Sequence, residues 1–146
     1  MSTVLFDTSV LISRCIIAHP HRTQALAAIV KSKESDHDCC ISLHSLAETF
    51  AVLSALPINP RISAEKALFL IEMEILSYFI IVPSSIENYR QAMVDIARVG
   101  RSGGAIYDAL ILQAARSINA SRLYTFNDKH FRPLLHEDES LEVVCP

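Results

Sequence analysis

Glycine is scarce in this chain: three in 146 residues, at Gly100, Gly103 and Gly104. No GxGxxG and no P-loop pattern can be built from them, which excludes the standard dinucleotide and nucleotide phosphate cradles. Long apolar runs are also missing. Leu68–Ile71 and Tyr78–Val82 fall far short of the ~18 residues of a membrane span, and no basic segment precedes the first apolar run, so neither membrane nor signal peptide is expected. The four cysteines, Cys15, Cys39, Cys40 and Cys145, have no regular spacing, as expected of a reduced, cytoplasmic protein. There is no excess of basic charge either. Thirteen basic against sixteen acidic residues leave a net charge of −3, so binding a polyanion requires local basic patches or bound cations.

What is present is the composition of a globular domain. Half of the residues are apolar (51%) and 20% are charged, and the length suits a single domain over residues 1–146 with a core that needs no staples. Short apolar runs at Thr3–Phe6, Cys39–Ile41, Phe79–Val82, Arg122–Tyr124 and Leu141–Val144 read as buried strands. Helical patterns fill the gaps: Ser9–Ala18, Thr23–Lys31, Ser45–Leu56, Ser63–Ser77, a face of Ile86, Tyr89, Met93 and Ile96, and Ala105–Ser117. Ser84 with Glu87 has the spacing of a capping box before the fifth of these. Alternation of this kind predicts a three-layer α/β/α sandwich around a central parallel sheet, whose site lies beyond the carboxyl ends of the strands.

Three acids fall in telling places. Asp7 follows the first strand and begins a helix, as a helix cap or as a site carboxylate. Glu48 shares a helical stripe with Ala51, Val52 and Ala55; it can close a capping box with Ser45, pair with His44 one turn away, or face a site. Asp108 has Gly104, Ala105, Ile111 and Leu112 as its helical neighbours, none of which can pair with a carboxylate. It needs an arginine from elsewhere or a cation. Carboxylates from separate elements gathered at one sheet edge repel, and a hard divalent cation relieves that repulsion. Mg²⁺ or Mn²⁺ held by oxygen ligands suits phosphodiester hydrolysis.

The segments Val4–Ile12, Ser45–Glu48, Gly104–Ile111 and Tyr124–Phe131, in this order and spacing, resemble PIN-domain ribonucleases, in particular the VapC-like toxins of toxin–antitoxin modules. The resemblance implies a PIN-like fold and a Mg²⁺-dependent endoribonuclease, with Mn²⁺ as an alternative ion. It maps catalytic, metal-binding acids onto Asp7, Glu48 and Asp108, with Asp7 and Asp108 as the main ligands. The family's fourth acid falls on Asn127 without a gap, and Asp128 is the adjacent acid. Thr8 or Ser9, and Thr125, would support the site by hydrogen bonding. An RNA substrate, a homodimer and a cognate antitoxin that obstructs the site are also implied. The apolar breadth of Ser63–Ser77 suits such a surface or an ordinary core helix.

Arg98 and Arg101, beside Gly100 and the Gly103–Gly104 pair, are candidates for RNA phosphate contacts, and the glycines suit close approach of RNA or backbone. The other basic residues of the second half, Arg116 among them, read as solvated faces, and Glu137–Asp138–Glu139 as a solvated turn. His37, Cys39, Cys40 and His44 lack zinc spacing, and the cysteines read as core. His19, His21, His130 and His136 are expected in loops or on the surface. Two other functions fit the same residues: a PIN-like module that binds RNA or a protein without cutting, and a metal-dependent phosphatase. The second lacks an acid two residues after Asp7.

Overall fold

A computed structural model describes residues 2–146. Five strands form one sheet: β1 (Thr3–Phe6), β2 (Asp38–Ser42), β3 (Ile80–Val82), β4 (Arg122–Tyr124) and β5 (Glu142–Val144). All neighbours are parallel, in the order β3-β2-β1-β4-β5. Among the described residues seven α-helices surround it: α1 (Thr8–Cys15), α2 (Arg22–Glu34), α3 (Leu43–Ala55), α4 (Ala64–Ile71), α5 (Ile86–Arg98), α6 (Ala105–Ser117) and the short α7 (Asp128–Phe131).

Residues along β1 alternate between two cores, because successive strand side chains point to opposite faces. Val4 and Phe6 pack with Leu11, Ile29, Leu53 and Ile71 from α1 to α4. Leu5 packs with Ile96, Leu112 and Phe131 from α5 to α7. Helices thus cover both faces of the sheet, giving the expected three-layer α/β/α sandwich.

Three local expectations need correction. The stretch Ser63–Ser77 is not one α-helix: Ser63 caps α4 through its bond from the Lys66 amide, and from Glu72 to Leu76 the chain continues as a π-helical turn. Ala67, Ile71 and Ile75 face the core, while Leu68, Phe69, Met73 and Leu76 stay about half exposed. The capping box before α5 uses Ser85 and Asn88 instead of Ser84 and Glu87. Glu139 is not solvated. It receives two hydrogen bonds from Arg116, Nε at 2.6 Å and Nη2 at 2.9 Å, and Arg116 Nη1 also reaches Asp95 at 3.0 Å. Asp95 is buried to 2% exposure, so a cross-linked Asp95–Arg116–Glu139 network ties α5, α6 and the segment before β5 together.

The chain steps outward from β1 to β2 and β3, then returns to place β4 on the other side of β1. The reversal between β1 and β4 opens a crevice at their carboxyl ends, the usual ligand position in such sheets.

Candidate active site

Asp7 sits at that reversal. It leaves β1 in extended conformation (φ −73°, ψ 159°) and caps α1 by accepting from the Ser9 amide, so the cap and the crevice carboxylate are the same group. The Asp7 amide donates to the Tyr124 carbonyl of β4 at 2.9 Å. Asp7 Oδ2 accepts from Thr125 Oγ1 at 2.7 Å and from Ser9 Oγ at 2.8 Å. Ser9 Oγ in turn accepts from the Phe126 amide at 3.0 Å, and Thr125 Oγ1 from the Asn127 amide at 2.9 Å. The turn after β4 is thereby clamped onto the start of α1. All of these donors to Asp7 use one oxygen, Oδ2. Thr8 points its hydroxyl elsewhere, to Ser45 Oγ at 3.1 Å.

A cavity of about 370 Å³ opens at this point. Asp7, Glu48 and Asp108 all line it, with Ser9 and Asn127. Glu48 reaches it from the second turn of α3. Ser42, not Ser45, caps that helix, and His44 Nε2 lies 3.1 Å from Glu48 Oε2. Asp108 reaches it from the first turn of α6, and its nearest basic neighbour is His130 Nδ1 at 3.6 Å. No arginine pairs with Asp108. Asp128, by contrast, is bonded to Arg132 Nε at 3.0 Å and does not line the cavity, so Asn127 is the polar residue beside the acids.

Electrostatics mark the cavity as short of positive charge. Burial raises the Asp7 carboxyl above its ordinary range, against the hydrogen bonds of Thr125 and Ser9. Burial also raises Glu48, and the charge of Asp7 adds to it. Asp108 is pushed up to about 6 by burial first and then by Asp7, with His130 and Arg101 opposing. Three acids that resist ionising together provide an all-oxygen donor set of the kind a hard cation completes. Among the described residues no three His, Cys, Asp or Glu side chains already converge as a chelate. Mg²⁺ does not need one, since it usually takes one or two carboxylates and keeps waters for its remaining positions. The residues therefore fit such an ion.

Arg101 lies next to the acids: with Ser102, Gly104 and His130 it lines a second depression that shares Asp108, and its Nη1 donates to the His130 carbonyl at 2.8 Å. Arg98 is exposed and lines neither space. Gly103 has φ +62°, and a Cβ there would meet nothing within 4 Å. Glycine is thus required by the turn into α6 and not by crowding within the chain. The histidines expected in plain loops include three with neighbours in the site: His130 beside Asp108, and His19 and His21 in the cavity wall. His19 and His21 are placed by the loop between α1 and α2, and His130 by the short α7, neither of which spacing describes.

The family model of the PIN domain matches residues 4–133. The chain belongs to the PIN domain family. No curated protein matches it in sequence. Solved structures share its fold: VapBC2 from Rickettsia felis bound to a promoter DNA fragment is 22% identical with a TM-score of 0.66, covering 97% of this chain and 98% of that one. The sarcin–ricin loop cleaving toxin VapC20 from Mycobacterium tuberculosis is 16% identical with a TM-score of 0.67, covering 87% and 92%. DNA-bound VapBC from Salmonella typhimurium is 18% identical with a TM-score of 0.67, covering 99% and 98%. The PIN domain holds the crevice, the acids and the turn after β4 within its matched span.

Proposed function

We propose that this PIN domain is a divalent-metal-dependent endoribonuclease, the toxin of a toxin–antitoxin pair. The observation that carries the reading is the gathering of Asp7, Glu48 and Asp108 around one cavity at the strand-order reversal, none of them bonded to an arginine among the described residues. Asp7 and Asp108 would hold Mg²⁺ or Mn²⁺, with Glu48 beside them and Asn127 as a neutral fourth position. When bound, the ion would supply an activated water and neutralise charge on the phosphate and the leaving oxygen. Ser9 and Thr125 fix Asp7 by its Oδ2, which leaves its other oxygen for the ion. Arg101 presents a guanidinium next to Asp108 for a backbone phosphate. Toxin relatives of the same fold support the reading, as do the half-exposed Leu68, Phe69, Met73 and Leu76, a surface for an antitoxin or a second copy.

The deciding experiment is gel-resolved cleavage of a mixed RNA pool by the antitoxin-free chain with Mg²⁺, with Mn²⁺ and with EDTA. Cleavage that EDTA abolishes is expected. A folded chain that binds RNA and never cuts it would be a binding module instead.

Two further outcomes test the ion itself. Saturating Mg²⁺ is expected to raise the melting temperature, since a ligand at about 100 times its Kd stabilises by about 2.7 kcal/mol; an unchanged melt would argue against the site. Thr125→Val removes the shortest hydrogen bond to Asp7. Loss of such a supporting partner typically lowers metal affinity about 10–100-fold, and a Mn²⁺ titration by calorimetry reads the drop.

A further inference from the structure

Two pairs of stacked rings border the acids, and the mechanism above uses neither. His21 lies on Phe126 with ring centroids 4.6 Å apart and planes within 16°, and both line the cavity that holds Asp7 and Asp108. His19 holds His21 in place, because its Nδ1 accepts the His21 amide at 3.1 Å. In a neighbouring space, His44 lies on Tyr107 at 4.8 Å and 10°. That pair walls an apolar pocket of about 270 Å³ with Ala47, Ala51 and Glu48, so the two spaces share Glu48. Tyr107 is 50% exposed, and no hydrogen bond to its hydroxyl is made among the described residues. His21 is exposed as well. Each pair therefore has one ring at the rim, where it covers little of the core.

Two flat ring surfaces bordering one phosphate-binding centre suit nucleic acid, in which each phosphate lies between two bases. Stacking on exposed rings suits any base that has left its own helix, and adds affinity without hydrogen-bond readout. We infer that His21, backed by Phe126, and Tyr107, backed by His44, are nucleobase platforms that seat the bases on either side of the scissile phosphate. The inference rests on RNA being the substrate. It makes the two platforms specificity-determining residues, and it requires both flanking bases to be unpaired. Because purines offer the larger stacking surface, it also sets a preference for adenine over uracil at these positions.

The test uses the full chain carrying Asp108→Asn, which leaves the probe uncut, with Mg²⁺ present. Fluorescein-labelled oligoadenylate and oligouridylate are titrated by anisotropy. The parent is expected to bind oligoadenylate more tightly. His21→Ala and Tyr107→Ala should each weaken it by roughly 5–100-fold and shrink the difference between the probes. His21→Phe and Tyr107→Phe keep a ring and should bind like the parent; thermal melts check that all variants fold. Alanine variants that bind like the parent overturn the inference. So do equal losses on both probes without recovery by phenylalanine, or a parent with no affinity for either probe. Cleavage by the unsubstituted chain is scored separately. Ring-dependent binding in a chain that never cuts discards the nuclease and keeps the platforms, whereas cutting with ring-independent binding discards the platforms alone.

Discussion

Asp108→Asn is expected to lose RNA cleavage by more than about 100-fold, since even outer partners of metal ligands cost up to that much, and at the same time to melt at a higher temperature without metal. The two effects share one cause. Asp108 is held at about 6 against an ordinary 3.8, by burial and then by the charge of Asp7. The folded chain therefore binds this proton more tightly than the unfolded chain. The resulting stability is fully present below about pH 4 and is lost as pH rises through about 6. The rise from 3.8 to about 6 corresponds to about 3 kcal/mol, less screening at a side chain 23% exposed. About 1–2 kcal/mol, or a few degrees in melting temperature, is the expected gain of the asparagine variant at neutral pH. Saturating Mg²⁺ should erase that difference by stabilising only the unsubstituted chain. Paired melts across pH 4–8 with and without Mg²⁺ check this. A variant that melts below the unsubstituted chain at pH 7 without metal would contradict it.

Arg116→Met is expected to destabilise the fold by about 3–5 kcal/mol, because it removes the guanidinium paired with the buried Asp95 carboxylate. Gln91 and Gln113 still donate to Asp95, at 3.0 and 3.1 Å, and His136 Nε2 lies 3.8 Å away, but neither the amides nor a ring at that distance replaces a guanidinium bonded at 3.0 Å. Glu139 adds a pH signature. Burial pushes its carboxyl up, but the hydrogen bonds and charge of Arg116, with the His136 amide, together hold it below its ordinary 4.5. Its contribution is present above that value and lost as pH falls through the lower folded value. Urea midpoints of the unsubstituted chain should therefore drop on the acid side more than those of Arg116→Met. Adding Asp95→Leu and Glu139→Met to Arg116→Met should recover much of the loss, since a buried ionic group replaced as a whole is often neutral or better.

Much of the fold was legible because its signals are local. Runs such as Thr3–Phe6 and Phe79–Val82 are short, apolar and set between helical patterns, which suits covered strands, and parallel pairing follows from the helices between them. The acids were legible for a related reason. Asp7 stands at a strand end, and Asp108 stands in a helical stripe with nothing to neutralise it. Gathering them required the strand order, which alternation alone leaves open and the family resemblance supplied. Contacts between distant segments left no trace in spacing. Arg116 and Glu139 are 23 residues apart, and nothing local to either marks the other. The same holds for His21, before α2, whose ring stacks on Phe126 in the turn after β4. At Glu48, two readings that compete in the sequence coexist in the structure: it lies 3.1 Å from His44 and still lines the cavity.

The hydrogen bond from Thr125 to Asp7 joins residues 118 apart, and β4 inserts beside β1 only after most of the chain exists. During synthesis the segment carrying Asp7 and Glu48 leaves the ribosome long before Thr125, Phe126 and Asn127. Until then one wall of the crevice is missing and Asp7 lacks its clamp. Asp7 Oδ2 is therefore held in place only once the segment carrying Thr125 has emerged and docked.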